Sequence, residues 1–426
     1  MLCKIAIMPN ENTTYFHRRD YVKITVFGFA LTALWQSMHT IILPLRLLDI
    51  VPEAQKNTYL GLLTLSGLFL AMLVQPIAGA ISDRSGSRWG RRRPYILIGG
   101  IITLLIIPGI GSVGSYAAIF AVYCLLQLAS NIAQGPFQAF IPDLVPHDKH
   151  GLASGVKALL EIVGGVILVY LSSLFMDRYF AGEGSQWLWL VLGILAAVLL
   201  GTMIATVVMV KEPPAHAGKR RASLLAELYR TARDVIANRD IVWFLASRLL
   251  VFMAFTTIQQ FALYFLRDVI GVTSPAEATA RFSIFAVAGM LIVVWPAGYL
   301  SDRIGRKPIN IASGLLGALG IAIIAVSQEY GTILWAAGII GVAMGAFNST
   351  NWALATDLVA KGEEARYLGI ANMATAGGAA LARAIGPAID FFNGRSPGLG
   401  YNFMLMVCLA YFIVGAALVL KIKRRN

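Results

Sequence analysis

The chain has 426 residues, of which 58% are hydrophobic and 13% charged, with a mean hydropathy of +0.71. A soluble globular protein carries about 25% charged residues, so this composition excludes that class and points to an all-α polytopic membrane protein. The net charge of +13 does not signal nucleic-acid binding. The Lys and Arg sit in short loops, and no basic face with interleaved aromatics lies outside the apolar runs.

Residues 1–22 read as a polar tail containing Arg18 and Arg19. Apolar runs follow at 24–46, 58–82, 94–113, 117–141, 152–176, 187–210, 241–266, 278–300, 308–327, 332–356, 366–391 and 401–420. Each is near the ~20 residues that a bilayer requires, so twelve transmembrane helices are expected. No cleavable signal peptide is expected, because the first run is long enough to span. Cys3, Cys124 and Cys408 are isolated and imply neither a disulfide framework nor a metal site.

One stretch organises the pattern. It runs from Gly79 to Pro94, GAISDRSGSRWGRRRP, and returns shortened from Gly298 to Pro308 as GYLSDRIGRKP. A second pair matches as well: PDLVPHDKHGLASG from Pro142 parallels TDLVAKGEEARYLG from Thr356. Asp143 then corresponds to Asp357, and Gly155 to Gly369. The chain is therefore an internal duplication. It divides into a six-helix half over 23–210, a linker over 211–240, a second six-helix half over 241–420, and a basic tail over 421–426. Within the linker, Leu224, Leu225, Leu228, Ala232, Val235 and Ile236 recur at helical spacing. They predict an amphipathic helix over Ser223–Ile236 lying at the membrane surface.

Most Lys and Arg fall on one side of this layout. Arg46, Lys56, Arg178, Arg267, Arg281 and Arg395 are the exceptions in the opposite loops. Both termini are therefore expected in the cytoplasm. Asp83, Arg84, Arg91, Arg92, Arg93, Asp143, Asp302, Arg303 and Asp357 lie at cytoplasmic helix ends. They are read as a gate whose ion pairs close the inward side and break on switching.

Two parallel six-helix halves with paired Gly–Asp–Arg loops resemble the major facilitator superfamily over nearly the whole chain. The longer first loop, with Ser87-Arg88-Trp89 before Gly90-Arg91-Arg92-Arg93-Pro94-Tyr95-Ile96, is similar to that of the glycoside–pentoside–hexuronide:cation symporters and the plant-type sucrose–proton symporters. Gln134-Gly135-Pro136, Ala139 and Asp143-Leu144 also resemble the sucrose-carrier pattern. The resemblance implies cation-coupled uptake of a sugar or glycoside. The chain departs from it at Gln138, where the sucrose type carries Arg, and in helix 2, which lacks the acidic residues of the melibiose type. Helix 5 lacks the Pro usual in drug–proton antiporters.

Polar residues inside spans usually face a cavity. Lys157 and Glu161 lie four apart on one face of helix 5, Glu161 near the midplane. Protonation of Glu161 would release Lys157, the logic of a proton-coupled carrier; a permanent ion pair holding helix 5 is the plainer alternative. Gln127, Asn131, Gln134 and Gln138 form one stripe on helix 4, suited to a hydroxyl-rich substrate or to interhelical bonding. Gln36 and His39 on helix 1, Gln259 and Gln260 on helix 7, Asn348 and Asn351 on helix 10 and Arg383 on helix 11 complete the candidate substrate set. Trp35 and Trp352 are candidates for stacking on a sugar face or for packing.

The expected function is proton-coupled symport of a sugar or glycoside by alternating access. The alternatives are an exporter or carrier of another solute, such as an organic anion or an amphipathic compound, and a non-transporting assembly or sensor factor. The expected partners are a small-molecule substrate (sugar, glycoside or uronide), protons and the lipid bilayer of a plasma or bacterial inner membrane. No cofactor, metal or nucleic acid is expected, and a monomer is. No nucleotide motif or nucleophile–base constellation suggests an enzyme.

Overall fold

A computed structural model describes residues 17–212, 238–358 and 364–423. Six helices form the first half: α1 (Arg18–Leu48), α2 (Glu53–Asp83), α3 (Arg93–Ser112), α4 (Tyr116–Leu144), α5 (His150–Phe180) and α6 (Gln186–Met209). The second half holds α7 (Arg239–Ile270), α8 (Pro275–Ile304), α9 (Arg306–Val326), α10 (Tyr330–Asp357), α11 (Glu364–Leu381 with the segments that follow it) and α12 (Leu399–Leu420). Eleven of these are long and apolar enough to cross a bilayer unbroken. The exception is α11, expected as one run over 366–391. It is interrupted by a 3₁₀ turn at Ala382–Ile385 and resumes at Gly386–Asn393. Pro387 is the cause: it lacks an N–H and fits only the start of a new helical segment.

The packing repeats between halves. In the first, α1 packs on α5 and α6, α4 on α2 and α3, and α3 on α6. In the second, α7 packs on α11 and α12, α10 on α8 and α9, and α9 on α12. The two halves meet where α2 crosses α11 and where α5 crosses α8.

The end of the bundle that carries the α2–α3 and α8–α9 loops is the basic end. There the duplication extends to single bonds. Arg93 donates to the Val207 carbonyl, and Lys307 to that of Ile422. Arg92 pairs with Asp143, and Arg306 with Asp357. Gly90 and Gly305 open the two basic clusters at φ +105° and +96°, a region that favours glycine. The expected surface helix at Ser223–Ile236, and Lys361, Arg424 and Arg425, lie outside the described residues.

Candidate functional site

A polar cavity of about 290 Å³ lies between the halves. Helix α1 lines it with Thr32, Trp35, Gln36, His39 and Thr40, α4 with Gln134, α7 with Thr256, Gln259 and Gln260, and α11 with Arg383. The backbone of α1 widens to a π turn over Met38–Ile42, the segment that presents His39. The Trp35 and His39 rings lie 5.3 Å apart, and Trp35 meets Tyr123 edge-on at 6.0 Å.

His39 begins a hydrogen-bonded chain that runs away from the cavity. Its Nε2 is 2.9 Å from the Tyr123 hydroxyl, which accepts from Gln127 Nε2 at 2.9 Å. Asn131 Nδ2 in turn donates to Gln127 Oε1 at 3.1 Å. The direction of the Tyr123–His39 bond follows the imidazole tautomer. The chain withdraws Asn131, which is 2% exposed, from the cavity it was expected to line. The amide stripe of α4 is thus divided: Gln134 faces the cavity, Asn131 bonds within its own helix, and Gln138 is exposed at the helix end.

Arg383 and Gln260 differ from these satisfied groups. Arg383 is 6% exposed and Gln260 4%. Arg383 donates to the Ala379 carbonyl, yet its Nε and the Gln260 Nε2 have no hydrogen-bond partner among the described residues. No ion pair engages Arg383 among the described residues. Two buried donors without acceptors are costly, and both residues also line the polar cavity.

A second chamber, of about 310 Å³, adjoins the first and shares Thr32, Gln36, Thr40 and Gln259 with it. It opens between α5 and α8, and its walls are mainly apolar. Glu161 lies on its border. The Glu161 carboxylate is 3.8 Å from Lys157 Nζ, which also sits 5.4 Å over the Phe137 ring. Glu161 packs against Gly28 of α1, where a Cβ would meet its Oε1 at 2.9 Å.

On α10 the structure departs from expectation. Asn351 is fully buried and accepts from Arg248 Nη1 at 2.5 Å while donating to Asn310 at 3.2 Å. Asn348 is half-buried and does not line either chamber. Trp352 stacks on the Arg248 guanidinium at 4.6 Å rather than facing a sugar. Arg248, a lone cation in the apolar run of α7, explains all of this. It also donates to Ala371 and Thr375, so α7, α10 and α11 converge on it. Tyr123 was equally overlooked, although it extends the α4 stripe by one more turn.

The basic-end charges also pair differently from the expected gate. Arg92, 4% exposed, binds Asp83, Ser82 and Asp143, and Arg91 joins Asp143 at 2.7 Å. Glu212 accepts from the backbone N–H groups of Arg91, Arg92 and Arg93 at 2.7–2.8 Å. Arg306 holds Asp357 at 2.8 Å, while Arg84, Asp302 and Arg303 are exposed. Every one of these ion pairs stays within its own half. Such short loops reach only the adjoining helix end, so they clamp each half instead of joining the two.

The pairs that do join the halves lie at the far end. Lys56 binds Asp268 at 2.6 Å and Arg267 binds Glu53 at 3.0 Å. Asp390 accepts from Asn57 Nδ2 at 2.8 Å and from the Thr58 N–H at 2.6 Å. Asp177 accepts from the N–H groups of Ala276 and Glu277, which begin α8. Among the described residues, no hydrogen bond or ion pair joins the halves at the basic end. Among the described residues, the polar contacts that seal the cavity lie at the far end.

The family model described as "MFS/sugar transport protein" matches residues 26–422. The chain belongs to that family. Relatives of this family member include sucrose transport protein SUC4 of Arabidopsis thaliana, 33% identical over 121 residues, 24% of this chain and 23% of that protein. The chain thus aligns with about a quarter of the length of such relatives. Sucrose transport protein SUT5 of Oryza sativa subsp. indica is 24% identical over 439 residues, covering 81% of this chain and 78% of that one. Among solved structures, the nucleoside transporter NupG superposes with a TM-score of 0.75 at 15% identity, over 95% of this chain and 99% of that one. A D-xylose-proton symporter superposes with a TM-score of 0.67 at 16% identity, over 94% and 97%. At those identities the likeness is one of fold: the family's two pseudo-symmetric six-helix halves.

Proposed function

We propose that this family member is a secondary active transporter that carries a sugar or glycoside by alternating access, in symport with protons. The observation that carries the reading is the polar lining of the cavity between the halves, where Gln36, His39, Gln134, Gln259, Gln260 and Arg383 converge from α1, α4, α7 and α11. Sugar hydroxyls both donate and accept, which suits this lining of amides, an imidazole and a guanidinium, and the Trp35 and His39 rings offer a flat face for the sugar. The sucrose transport proteins it resembles support the same substrate class.

With the basic end placed in the cytoplasm, the cavity faces inward and the far-end contacts are the closed outer gate. Substrate release then precedes reopening of the Lys56–Asp268 and Asn57–Asp390 contacts. Glu161 takes a proton when the cavity faces out and releases it when the cavity faces in, where Lys157 stabilises the carboxylate. We place the protein in a plasma or inner membrane, with both termini cytoplasmic, acting as a monomer. Arg383 favours one narrower reading: with no carboxylate partner among the described residues, it would also anchor an acidic sugar such as a uronide.

Uptake of radiolabelled sugars and uronides into proteoliposomes, with and without an inward proton gradient, tests the reading. Gradient-driven accumulation is expected in the native protein. Glu161→Gln should abolish accumulation and retain substrate exchange at equal concentrations. Unchanged accumulation in that variant removes Glu161 from the coupling role.

A further inference from the structure

We infer that Tyr123 is a positioning residue: it fixes His39 as the neutral tautomer with its proton on Nδ1, and this N–H is presented to the transported sugar. Presentation to a sugar rests on the sugar-carrier reading above; the tautomer does not. Tyr123 itself lines neither chamber. It is fully buried on α4, and a Cβ on Gly67 of α2 would overlap its ring and lie 2.8 Å from its hydroxyl oxygen, so the glycine leaves the slot in which the ring lies.

The proton positions follow from one fixed point, the main-chain carbonyl of Gln127, which can only accept. Asn131 Nδ2 donates to it at 2.8 Å and to Gln127 Oε1 at 3.1 Å. That orientation of the two amides leaves Gln127 Nε2 for the Tyr123 hydroxyl, at 2.9 Å. The hydroxyl oxygen accepts from Gln127 and still carries a proton of its own. Among the described residues its other partner is His39 Nε2, at 2.9 Å. A proton on that nitrogen would set N–H against O–H and strand the buried hydroxyl proton, a costly arrangement. The doubly protonated ring meets the same conflict. A bare Nε2 accepts the hydroxyl proton, and the imidazole proton then sits on Nδ1. His39 lines the polar chamber, and its Nδ1 makes no hydrogen bond among the described residues. Trp35 and Tyr123 grip the ring, with centroids 5.3 and 6.0 Å away. The ring is thereby a fixed donor, and a sugar oxygen is its acceptor.

The test is nitrogen-15 NMR of the full-length protein, labelled at its histidines, in lipid nanodiscs at about pH 8, above the usual imidazole pKa. His39→Gln identifies the resonances of His39 among those of the five histidines. The native protein should show a protonated Nδ1 and a bare Nε2. Tyr123→Phe keeps the ring and removes only the hydroxyl, so that single tautomer should give way to a mixture or to the Nε2–H form. The same variant should raise the KM for sugar uptake into proteoliposomes about threefold or more, because the competent tautomer becomes a fraction of the population, and leave kcat within about twofold. His39→Ala should raise KM about tenfold, the loss of one hydrogen bond, and adding Tyr123→Phe to it should cost nothing further. An Nε2–H or doubly protonated ring in the native protein would overturn the inference, as would a tautomer indifferent to Tyr123→Phe. The expected tautomer with a KM unmoved by Tyr123→Phe would overturn the presentation of the N–H to substrate. Uptake of no sugar would overturn that presentation together with the sugar-carrier reading, while the spectrum would still decide the role of Tyr123.

Discussion

The crossing of α2 and α11 is the tightest contact between the halves, and one methyl group should loosen it. A Cβ on Gly386 would overlap the Asn57 carbonyl oxygen and lie 2.8 Å from the carbonyl carbon and 3.3 Å from Thr58 Cα. All three are backbone atoms, so no side chain can turn aside. Gly61 faces the Arg383 carbonyl from the other helix in the same way. Gly386→Ala must therefore move α2 away from α11, at an overpacking cost of about 1–3 kcal/mol. That cost falls only on the state in which the far end is closed. The balance between far-closed and far-open states should shift roughly 5- to 150-fold toward the open one. Spin labels at the exposed far-end residues Glu183 and Ser396, one in each half, would read the change as growth of a longer distance. An unchanged distance distribution, with unchanged transport, would refute the claim that this crossing is the seal.

Three further outcomes follow from the contacts. Arg383→Gln should raise the substrate KM about tenfold or more while leaving the melting temperature level or higher, because it removes a buried cation that no carboxylate balances; a lower melting temperature with unchanged KM would make the residue structural. Asp143→Ala should slow turnover more than Asp357→Ala, because the side chains of Arg92 and Asp143 are 5% and 23% exposed against 27% and 54% for Arg306 and Asp357; equal effects in uptake assays would contradict this. Asn351→Ala should cost about 2 kcal/mol of stability by stripping an acceptor from Arg248, seen as a lower melting temperature with KM unchanged.

Much of the architecture was legible because it rests on length and repetition. An apolar run near 20 residues reports a span directly. The Gly79–Pro94 and Gly298–Pro308 copies reported the duplication, which extends in the structure to Arg93 and Lys307 on equivalent carbonyls. The site was legible only by helix. The polar side chains of α1, α7 and α11 do converge on one cavity: Gln36, His39, Gln259, Gln260 and Arg383. On α4 and α10 the same reasoning failed, because a helical stripe names a face and not what the face meets. Asn131 and Asn351 share their stripes with cavity candidates, yet each is drawn to a nearer partner, Gln127 and Arg248. Polarity in a membrane helix is as readily satisfied by a neighbour as by a ligand.

The same asymmetry explains why the far-end seal escaped the sequence. A basic cluster beside a Gly–Asp–Arg turn is conspicuous, and it proves to brace each half separately. The seal uses scattered residues, Glu53, Lys56, Asn57, Asp177, Arg267, Asp268 and Asp390, drawn from both halves; Asp177 on the start of α8 does mirror Asp390 on the start of α2, but no conspicuous motif surrounds either. Contacts between the halves pair positions that are not repeat equivalents: Lys56 begins α2 while Asp268 ends α7. The alternating access proposed above requires this difference. Bonds within a half must survive every cycle, whereas those between the halves must break once per cycle. The internal clamps therefore tolerate close, nearly buried geometry such as that of Arg92. Exposure does not separate the two sets, since Asp357 in a clamp is 54% exposed and Lys56 in the seal 6%; what separates them is whether both partners ride on one half or one on each, so that parting of the halves pulls them into water.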